Sequence, residues 1–306
     1  MFSSIVKDYS IVRGVLRTGE LGYIVFAKDE LLRDKEEHSM FLVFHKGAWI
    51  WPTNEDKADW TAASAAVVKS PKEQALFMGL FGQIYRVGSG DAVEELALTH
   101  LSEGPETFGP MRCVHAIGGK AYAVGMGRQA YRRIDADRWE RIDHDVRTSL
   151  EENDSFSFET IDGLSEDDIY AAGRRGEIWR FNGRAWFRED SPTNRIITGL
   201  LCRASGAILA CGVDGTLLER SPAGWNVIAQ NETVDDFWSI CEFKGKVFVS
   251  TMNALYELKG HALTKVNFES DSPATYFCLT HADDVLWSVG AKNIFAYDGV
   301  AWTRVV

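Results

Sequence analysis

A glycine-rich segment that ends in tryptophan recurs along this chain and constrains its fold more than any other feature. The clearest copies are Ala172–Arg180, followed by Gly183 and Trp186, and Cys211–Glu219, followed by Gly224 and Trp225. The first glycine of each copy recurs about 40 to 50 residues apart, a period typical of repeat architectures. These glycines are Gly79, Gly125, Gly173, Gly212 and, after a gap of two periods, Gly290.

Each repeat unit is predicted to contain four short strands. The units close at Trp139, Trp186, Trp225 and Trp302, and a diverged first copy ends in Gly47–Trp49. Between these markers lie short apolar segments, rich in β-branched residues and separated by turn residues, which are typical of strands. In the fifth unit the predicted strands are Arg195–Leu201, Ala207–Cys211, Thr216–Arg220 and Trp225–Ile228. The charged insertion 28–38 is predicted to be a short helix or a solvated loop.

Seven such units fit the chain and begin near residues 9, 60, 110, 155, 195, 235 and 273. Four-stranded units at this interval are typical of propeller blades. Glycine suits the tight turn between the second and third strands of a blade. The closing tryptophan can cover the apolar face between neighbouring blades. The sequence therefore predicts an all-β fold: a seven-bladed β-propeller of four-stranded antiparallel blades, forming a single domain over residues 1–306.

The repeats also resemble those of a known group of proteins. The order Asp168–Gly173, Gly176–Ile178, Gly183 and Trp186 resembles the bacterial propeller repeats grouped as YVTN/WD40-like or BNR-like. The resemblance is good over residues 110–306 and weak over residues 1–109. The Trp-Asp dipeptide of WD40 repeats is absent, and the Asp-box of sialidase-like propellers is represented only by Asp214–Thr216. The resemblance therefore implies a propeller fold and carries over no catalytic residues.

Composition narrows the classes of partner. The net charge is −11, which argues against nucleic acid, because phosphate binding depends on Lys and Arg. No apolar run reaches the roughly 20 residues needed to cross a bilayer, and the first ten residues lack the apolar run of a signal peptide. The five cysteines are scattered and are expected to be buried, reduced thiols. We therefore expect a cytoplasmic protein that binds no membrane, no metal and no cofactor.

Negative charge is concentrated in the predicted loops between blades. Because strands alternate in direction, these loops emerge at the same end of a blade as the turn between its second and third strands. The predicted loops are 53–59, 100–109, 143–155, 189–194, 229–236 and 267–273, and their only basic residues are Lys57 and Arg147. Their seventeen acidic residues are Glu55, Asp56, Asp59, Glu103, Glu106, Asp143, Asp145, Glu151, Glu152, Asp154, Glu189, Asp190, Glu232, Asp235, Asp236, Glu269 and Asp271.

The simplest explanation of these acidic residues is that Asp is common in turns. That preference explains the glutamates poorly, and it does not explain the scarcity of Lys and Arg. An acidic rim on one face would attract and orient a basic protein partner. The sequence therefore predicts a protein-binding surface on the face that carries these loops.

Arginines and aromatic residues complete the predicted surface. The short turns inside the acidic rim carry Arg128, Arg174, Arg175 and Lys292, which either neutralise the rim or bind an acidic group. Trp60 and Trp238 lie at or within predicted inner strands next to loop acids. Tryptophan and arginine are common interface hot spots, although packing between blades is the alternative role for both tryptophans.

A catalytic alternative rests on three residues. Glu159 and Asp236 lie at the edges of predicted inner strands, and His115 is the only histidine inside one. They are candidates for a hydrolase or lyase that acts on a small molecule or glycan at the channel mouth. Acid–base catalysis by paired carboxylates needs a separation of about 5–9 Å, and the sequence does not supply that distance.

Three functions follow from these patterns. The first is a non-enzymatic binding module that holds a basic protein on its acidic face; one form of it is a bacterial immunity protein that blocks a cationic toxin domain by burying its active site. The second is the hydrolase or lyase, and the third is a scaffold or assembly factor of a larger complex. Neither the oligomeric state nor the closure of the propeller is predicted: residues 301–306 supply a fourth strand to the last blade, while Met1–Val6 are a candidate addition to a neighbouring blade.

Overall fold

The computed structural model describes residues 6–50, 57–95, 98, 103–268 and 273–306. These residues form seven antiparallel sheets, and in each sheet four strands consecutive in the chain pair in chain order. The fold is a seven-bladed β-propeller, as the sequence predicts, and we number the sheets as blades 1 to 7. The described part of the chain contains no helix that is both long and apolar enough to cross a membrane. The chain divides into two compact units.

The first unit comprises Met1–Ala62 and Trp238–Val306 and contains blades 1, 6 and 7. Blade 1 also pairs an extra strand, β5, with β3, and its charged insertion contains a short helix, α1. The bounds are β1 Tyr9–Thr18, β2 Leu21–Lys28, α1 Asp29–Asp34, β3 Ser39–His45, β4 Ala48–Ile50 and β5 Lys57–Ala58; β22 Ser239–Phe243, β23 Lys246–Ser250, β24 Leu255–Lys259 and β25 Ala262–Lys265; and β26 Cys278–Ala282, β27 Val285–Val289, β28 Ile294–Tyr297 and β29 Trp302–Arg304.

The second unit, Ala63–Phe237, contains blades 2 to 5, except that the first residue of blade 2 belongs to the other unit. Its elements are β6 Ala62–Val68, β7 Gln74–Gly79, β8 Ile84–Gly88 and β9 Asp91–Glu95; helix α2 Pro105–Phe108; β10 Met111–Ile117, β11 Lys120–Gly125, β12 Ala130–Asp135 and β13 Arg138–Arg141; β14 Phe158–Ser165, β15 Asp168–Gly173, β16 Ile178–Phe181 and β17 Trp186–Glu189; and β18 Ile197–Cys202, β19 Ile208–Gly212, β20 Leu217–Ser221 and β21 Gly224–Val227.

Within the first unit, blade 7 meets blade 1 without exchanging a strand. Blade 7 ends with its own fourth strand, β29, and β1 packs along β26. The Ile11 amide donates to the Ala291 carbonyl at 2.8 Å. Lys292 Nζ donates to the Tyr9 carbonyl at 2.8 Å and to Asp29 Oδ2 at 2.6 Å. The two blades are therefore joined by side-chain packing and by these three hydrogen bonds. Residues 1–5 of the segment Met1–Val6, the other candidate for closing the propeller, lie outside the described residues.

The repeated glycines have two different roles. In the second glycine of a copy, such as Gly176 with a φ of +70°, the backbone is left-handed, so the tight-turn prediction holds there. The first glycine is needed for space instead, because Gly173 has an extended φ of 177°. A Cβ on Gly173 would lie 1.9 Å from the Ser157 carbonyl oxygen, and a Cβ on Gly212 would lie 2.3 Å from the Ile196 carbonyl oxygen. The backbone just before each inner strand therefore packs directly against the first glycine of the copy.

We expect Gly173→Ala to lower the free energy of unfolding by about 3 kcal/mol, because the added methyl forces two backbone segments apart. Gly19→Ala is the matched control: its Cβ would meet nothing closer than Val285 Cγ2 at 3.5 Å. Urea unfolding of the two variants beside the wild type checks this prediction. A Gly173→Ala protein as stable as the Gly19→Ala protein would contradict the close-approach explanation.

The closing tryptophans of blades 3, 4 and 5 each reach back to the preceding blade. The indole N–H groups donate to Glu95 Oε1 from Trp139 at 3.1 Å, to the Ile142 carbonyl from Trp186 at 2.7 Å, and to Glu189 Oε2 from Trp225 at 2.6 Å. All three indoles are buried and belong to apolar clusters between neighbouring blades. The predicted role of these tryptophans is confirmed, with a hydrogen bond added to the apolar contact.

Candidate protein-binding surface

The loops between blades and the turns between second and third strands form one surface in the second unit. The Gly127 amide donates to the Phe156 carbonyl at 2.9 Å, and the Thr148 amide donates to the Gly127 carbonyl at 3.0 Å. Two blades further on, the Gly215 amide donates to the Asp235 carbonyl at 3.1 Å. Loops and turns therefore share one end of these blades. We call this surface the loop face: loops 103–109, 142–157, 190–196 and 228–236, with turns 126–129, 174–176 and 213–216.

Six acidic residues of the loop face are exposed, and their side chains form neither an ion pair nor a hydrogen bond within the described part of the chain. We call them the exposed acids: Glu106, Glu151, Glu152, Asp154, Asp190 and Glu232. Three of them follow one another closely on the loop before β14, beside the 3-10 turn Asn153–Ser155. These carboxylates are exposed and are paired with no cation in the described part of the chain, although the Arg174 guanidinium donates to the backbone carbonyl of Asp154 at 2.5 Å.

Other loop acids have structural partners. Asp143 is buried and accepts hydrogen bonds from the Ala130 amide at 2.8 Å, Arg141 Nε at 3.1 Å and Arg147 Nε at 2.8 Å. Glu103 forms an ion pair with Arg141 as well. These contacts fix the loops and neutralise part of the charge predicted for them.

Three further acids hold neighbouring segments together. Asp145 accepts from the Trp186 amide at 2.9 Å, and Asp236 accepts from the Asp214 amide at 2.9 Å. Glu189 is paired with Arg220 at 2.8 Å. Asp235 is half-buried, and its backbone carbonyl accepts the hydrogen bond from the Gly215 amide that fixes its loop. Glu55, Asp56, Glu269 and Asp271 lie outside the described residues, and Asp59, in the first unit, is exposed.

The two candidate tryptophans of the first unit differ in exposure. Trp60 is buried and its ring lies 5.8 Å from that of Phe41, whereas Trp238 is 45% exposed. On the loop face of the second unit, two apolar side chains that the sequence analysis did not single out are also open to solvent. Leu150 is 53% exposed and Val234 is 82% exposed, and they neighbour the exposed acids Glu151 and Glu232 in sequence. The loop face thus combines unneutralised carboxylates with apolar contact area.

The turn arginines differ in how firmly they are held. Arg128 donates to Glu177 through Nε at 2.8 Å and Nη2 at 2.9 Å, and its guanidinium lies 4.2 Å from the centre of the Phe156 ring. Its pairing with the buried Glu177 makes it a structural residue. Arg175 packs over the same ring at 5.1 Å but is exposed. The three turn arginines therefore do not act alike.

The three candidate catalytic residues have different partners. Glu159 lies between two arginines, with Oε2 3.5 Å from Arg112 Nε and Oε1 3.5 Å from Arg174 Nε. Asp236 caps the Asp214 amide, as described above, while His115 Nε2 lies 3.3 Å from Asp162 Oδ1. Asp162 Oδ2 also accepts from the Cys202 amide at 2.7 Å, so this carboxylate links three adjacent inner strands. The described residues include no group of three His, Cys, Asp or Glu side chains placed to hold a metal ion.

The pair of His115 and Asp162 gives a pH-dependent term in stability. Desolvation alone would lower the pKa of His115, but the charge of Asp162 and its hydrogen bond outweigh that effect and raise the pKa. Because the folded-state pKa is raised, this contribution to stability is complete below the unfolded pKa of about 6.5. It is lost as the pH rises through the folded pKa.

We therefore expect the wild type to melt at a higher temperature than His115→Gln at acid pH, with the difference shrinking as the pH rises. Thermal unfolding of both proteins across neutral pH measures this difference, and the subtraction removes the titration of other groups. A difference that stays constant or grows with pH would contradict the assigned ion pair.

The cysteines fit the expected structural role. All five are free: three are buried and two are half-buried. Burial raises the pKa of the Cys211 thiol to about 12, and burial also raises the pKa of Cys202 and Cys241. These thiols are therefore poor nucleophiles at neutral pH.

Comparisons with known proteins bear on the fold and on the family of the chain. No protein-family model matches the chain. The structure of YCF48 bound to D1 peptide has a TM-score of 0.68 at 14% identity, over 94% of this chain and 91% of that one. The WD40 β-propeller domain of Doa1 has a TM-score of 0.65 at 12% identity, over 97% of this chain and 92% of that one. At these identities the two structures show the propeller fold alone.

A similarity in sequence covers the whole chain. Immune protein Tsi7 of Pseudomonas aeruginosa is 40% identical over 309 residues, which span 100% of both chains. An identity of this size over the full length includes the first 109 residues, where the propeller repeats are weakest. The chain therefore belongs to the family of Immune protein Tsi7.

Proposed function

We propose that this chain is an immunity protein that binds a toxin through its loop face and covers the toxin's active site. The observation that carries the proposal is the full-length similarity to Immune protein Tsi7. An immunity protein needs a partner surface rather than a reaction centre. The exposed acids, with Leu150 and Val234 beside two of them, supply such a surface in the second unit.

The charge of the loop face specifies the kind of toxin surface that fits. Carboxylates without an internal cation favour a basic partner, steer its approach and make association sensitive to salt. Exposed apolar residues next to these carboxylates add apolar surface that becomes buried from water when the partner binds. We infer that the bound toxin surface is basic, and that the complex forms more slowly at high ionic strength.

Capture and protection together test this proposal. The tagged chain is used to isolate its partner from the native host at low and at high salt, and the partner is identified and purified. The partner is then produced in a bacterial host alone and together with the chain. We expect it to inhibit growth alone and to be neutralised by co-production. A stoichiometric partner that is harmless alone and binds regardless of salt would point to a scaffold instead.

A further inference from the structure

Two arginines, one in the loop face and one just after loop 103–109 in sequence, share a single carboxylate. Arg112, at the start of β10, and Arg174, in the turn after β15, approach the single carboxylate of Glu159, each at 3.5 Å through Nε. This distance exceeds the 2.7–2.9 Å usual for charge-assisted N–H···O bonds. Arg112 Nε is buried and has no hydrogen-bond partner in the described part of the chain. The Glu159 carboxylate is thus shared between two guanidinium groups and saturates neither Nε.

Arg175 follows Arg174 in the chain and adds a third guanidinium; Arg174 contacts the Asp154 carbonyl and Arg175 the Phe156 ring, two residues apart on one loop. Its backbone is left-handed, with a φ of 62°, and its guanidinium packs over Phe156. The other arginine on that ring, Arg128, is already satisfied by Glu177. Arg175 is exposed and pairs with no carboxylate among the residues that the structure describes. We call Arg112, Arg174 and Arg175 the arginine cluster; with Glu159 it comprises three cations and one anion.

We infer that the arginine cluster is a docking site for a carboxylate side chain of the bound toxin. The inference rests on the proposed function and adds one feature to the basic toxin surface: an acidic residue that faces Arg175. Arginine presents a planar fork that matches a carboxylate, and packing on an aromatic ring holds that fork in place before binding. A toxin surface with only positive charge would be repelled here, so the cluster contributes specificity as well as affinity.

The sign of one mutational effect separates docking from simple charge balance. If the cluster docks a carboxylate, Arg175→Gln weakens binding of the captured and purified toxin by about 10- to 100-fold. If the cluster only offsets the acidic face, removing a positive charge makes that face more attractive to a basic toxin, so binding tightens. Arg184→Gln is the matched control, because Arg184 is exposed on the β16–β17 turn at the other end of the same blade. Unchanged or tighter binding by Arg175→Gln overturns the inference.

Two further measurements complete the test. Arg175→Lys keeps the positive charge but loses the planar guanidinium that can donate two parallel hydrogen bonds, so this variant should bind the toxin more weakly than the wild type. If it binds with full wild-type affinity, docking of a carboxylate on the guanidinium is overturned. Acetate is then titrated against the wild-type chain, with chloride at equal ionic strength as the reference, while arginine Nε–H signals are followed by NMR. We expect a saturable shift of Arg175 with acetate alone, and no shift of Arg128, which Glu177 already holds.

The two proposals fail separately. A wild-type chain that captures no toxin removes the proposed function, and the arginine cluster is then judged by the acetate titration. Equal responses of Arg175 to acetate and chloride would overturn the docking site.

Discussion

Replacing Glu151, Glu152 and Asp154 by lysine is expected to weaken binding of the toxin by about 100-fold, mainly by slowing association. The three carboxylates are exposed on one loop and form no ion pair within the described residues. Little of the fold depends on their side chains, so the variant should melt close to the wild type. Reversing their charge turns an attraction for a basic surface into a repulsion. Stopped-flow association at low salt measures the effect directly.

The control carries the same change in net charge at the opposite end of the blades. Asp135→Lys, Asp137→Lys and Asp167→Lys replace acids at the β12–β13 and β14–β15 turns of the second unit. We expect this variant to associate within a fewfold of the wild type, because the loop face keeps all of its carboxylates. If both triple variants lose association equally, net charge rather than the loop face governs binding.

Glu95→Ala is expected to lower the free energy of unfolding by about 3–5 kcal/mol, because it leaves a buried cation unpaired. Glu95, at the end of β9, receives Arg133 Nη2 at 2.7 Å and the Trp139 indole at 3.1 Å. Both charged side chains of this pair have 0% exposure. The loss should appear as a large fall in melting temperature and in the urea midpoint.

The chain contains its own matched comparison for this prediction. Glu189 makes the same contacts two blade interfaces further on, to Arg220 and Trp225, but its side chain is 16% exposed. Water can replace part of what Glu189→Ala removes, so we expect that variant to lose less stability. The double variant Glu95→Leu, Arg133→Met should recover part of the loss, because it removes both charges together; the Trp139 indole N–H is left without its acceptor. A Glu95→Ala loss no larger than that of Glu189→Ala would show that burial does not set the cost.

Much of the fold was predictable because the same glycine and tryptophan positions recur in successive blades. In the fifth blade the predicted strands differ from the observed ones by one or two residues at each end: Ala207–Cys211, for example, is observed as Ile208–Gly212. The inner strand of blade 4 was harder to predict, since Glu159 was placed at the edge of the strand and lies inside β14. The dipeptide Asp162-Gly163 is typical of a turn but lies inside this strand, so turn signals in the sequence place the end of the strand too early.

The candidate surface was less predictable, because the pairing of its charges depends on side chains that come from strands. Arg141 and Arg220 lie outside the loops, so the count of loop charges omitted the cations that neutralise Asp143 and Glu189. Arg112 was missed for the same reason. Trp60 and Trp238 both precede inner strands, by two residues and by one residue. A shift of one residue moves a side chain to the opposite face of a strand, which agrees with one tryptophan being buried and the other exposed.

The most direct test of the proposed binding mode is backbone hydrogen exchange of the wild-type chain, free and bound to the purified toxin. We expect protection to concentrate in loops 149–157, 190–196 and 228–236 and in turn 174–176. The turns 136–137, 166–167 and 182–185, at the opposite end of the same blades, should exchange equally in both states. Protection of those opposite turns, with loops 149–157 and 228–236 unchanged, would contradict the loop face as the surface that binds the toxin.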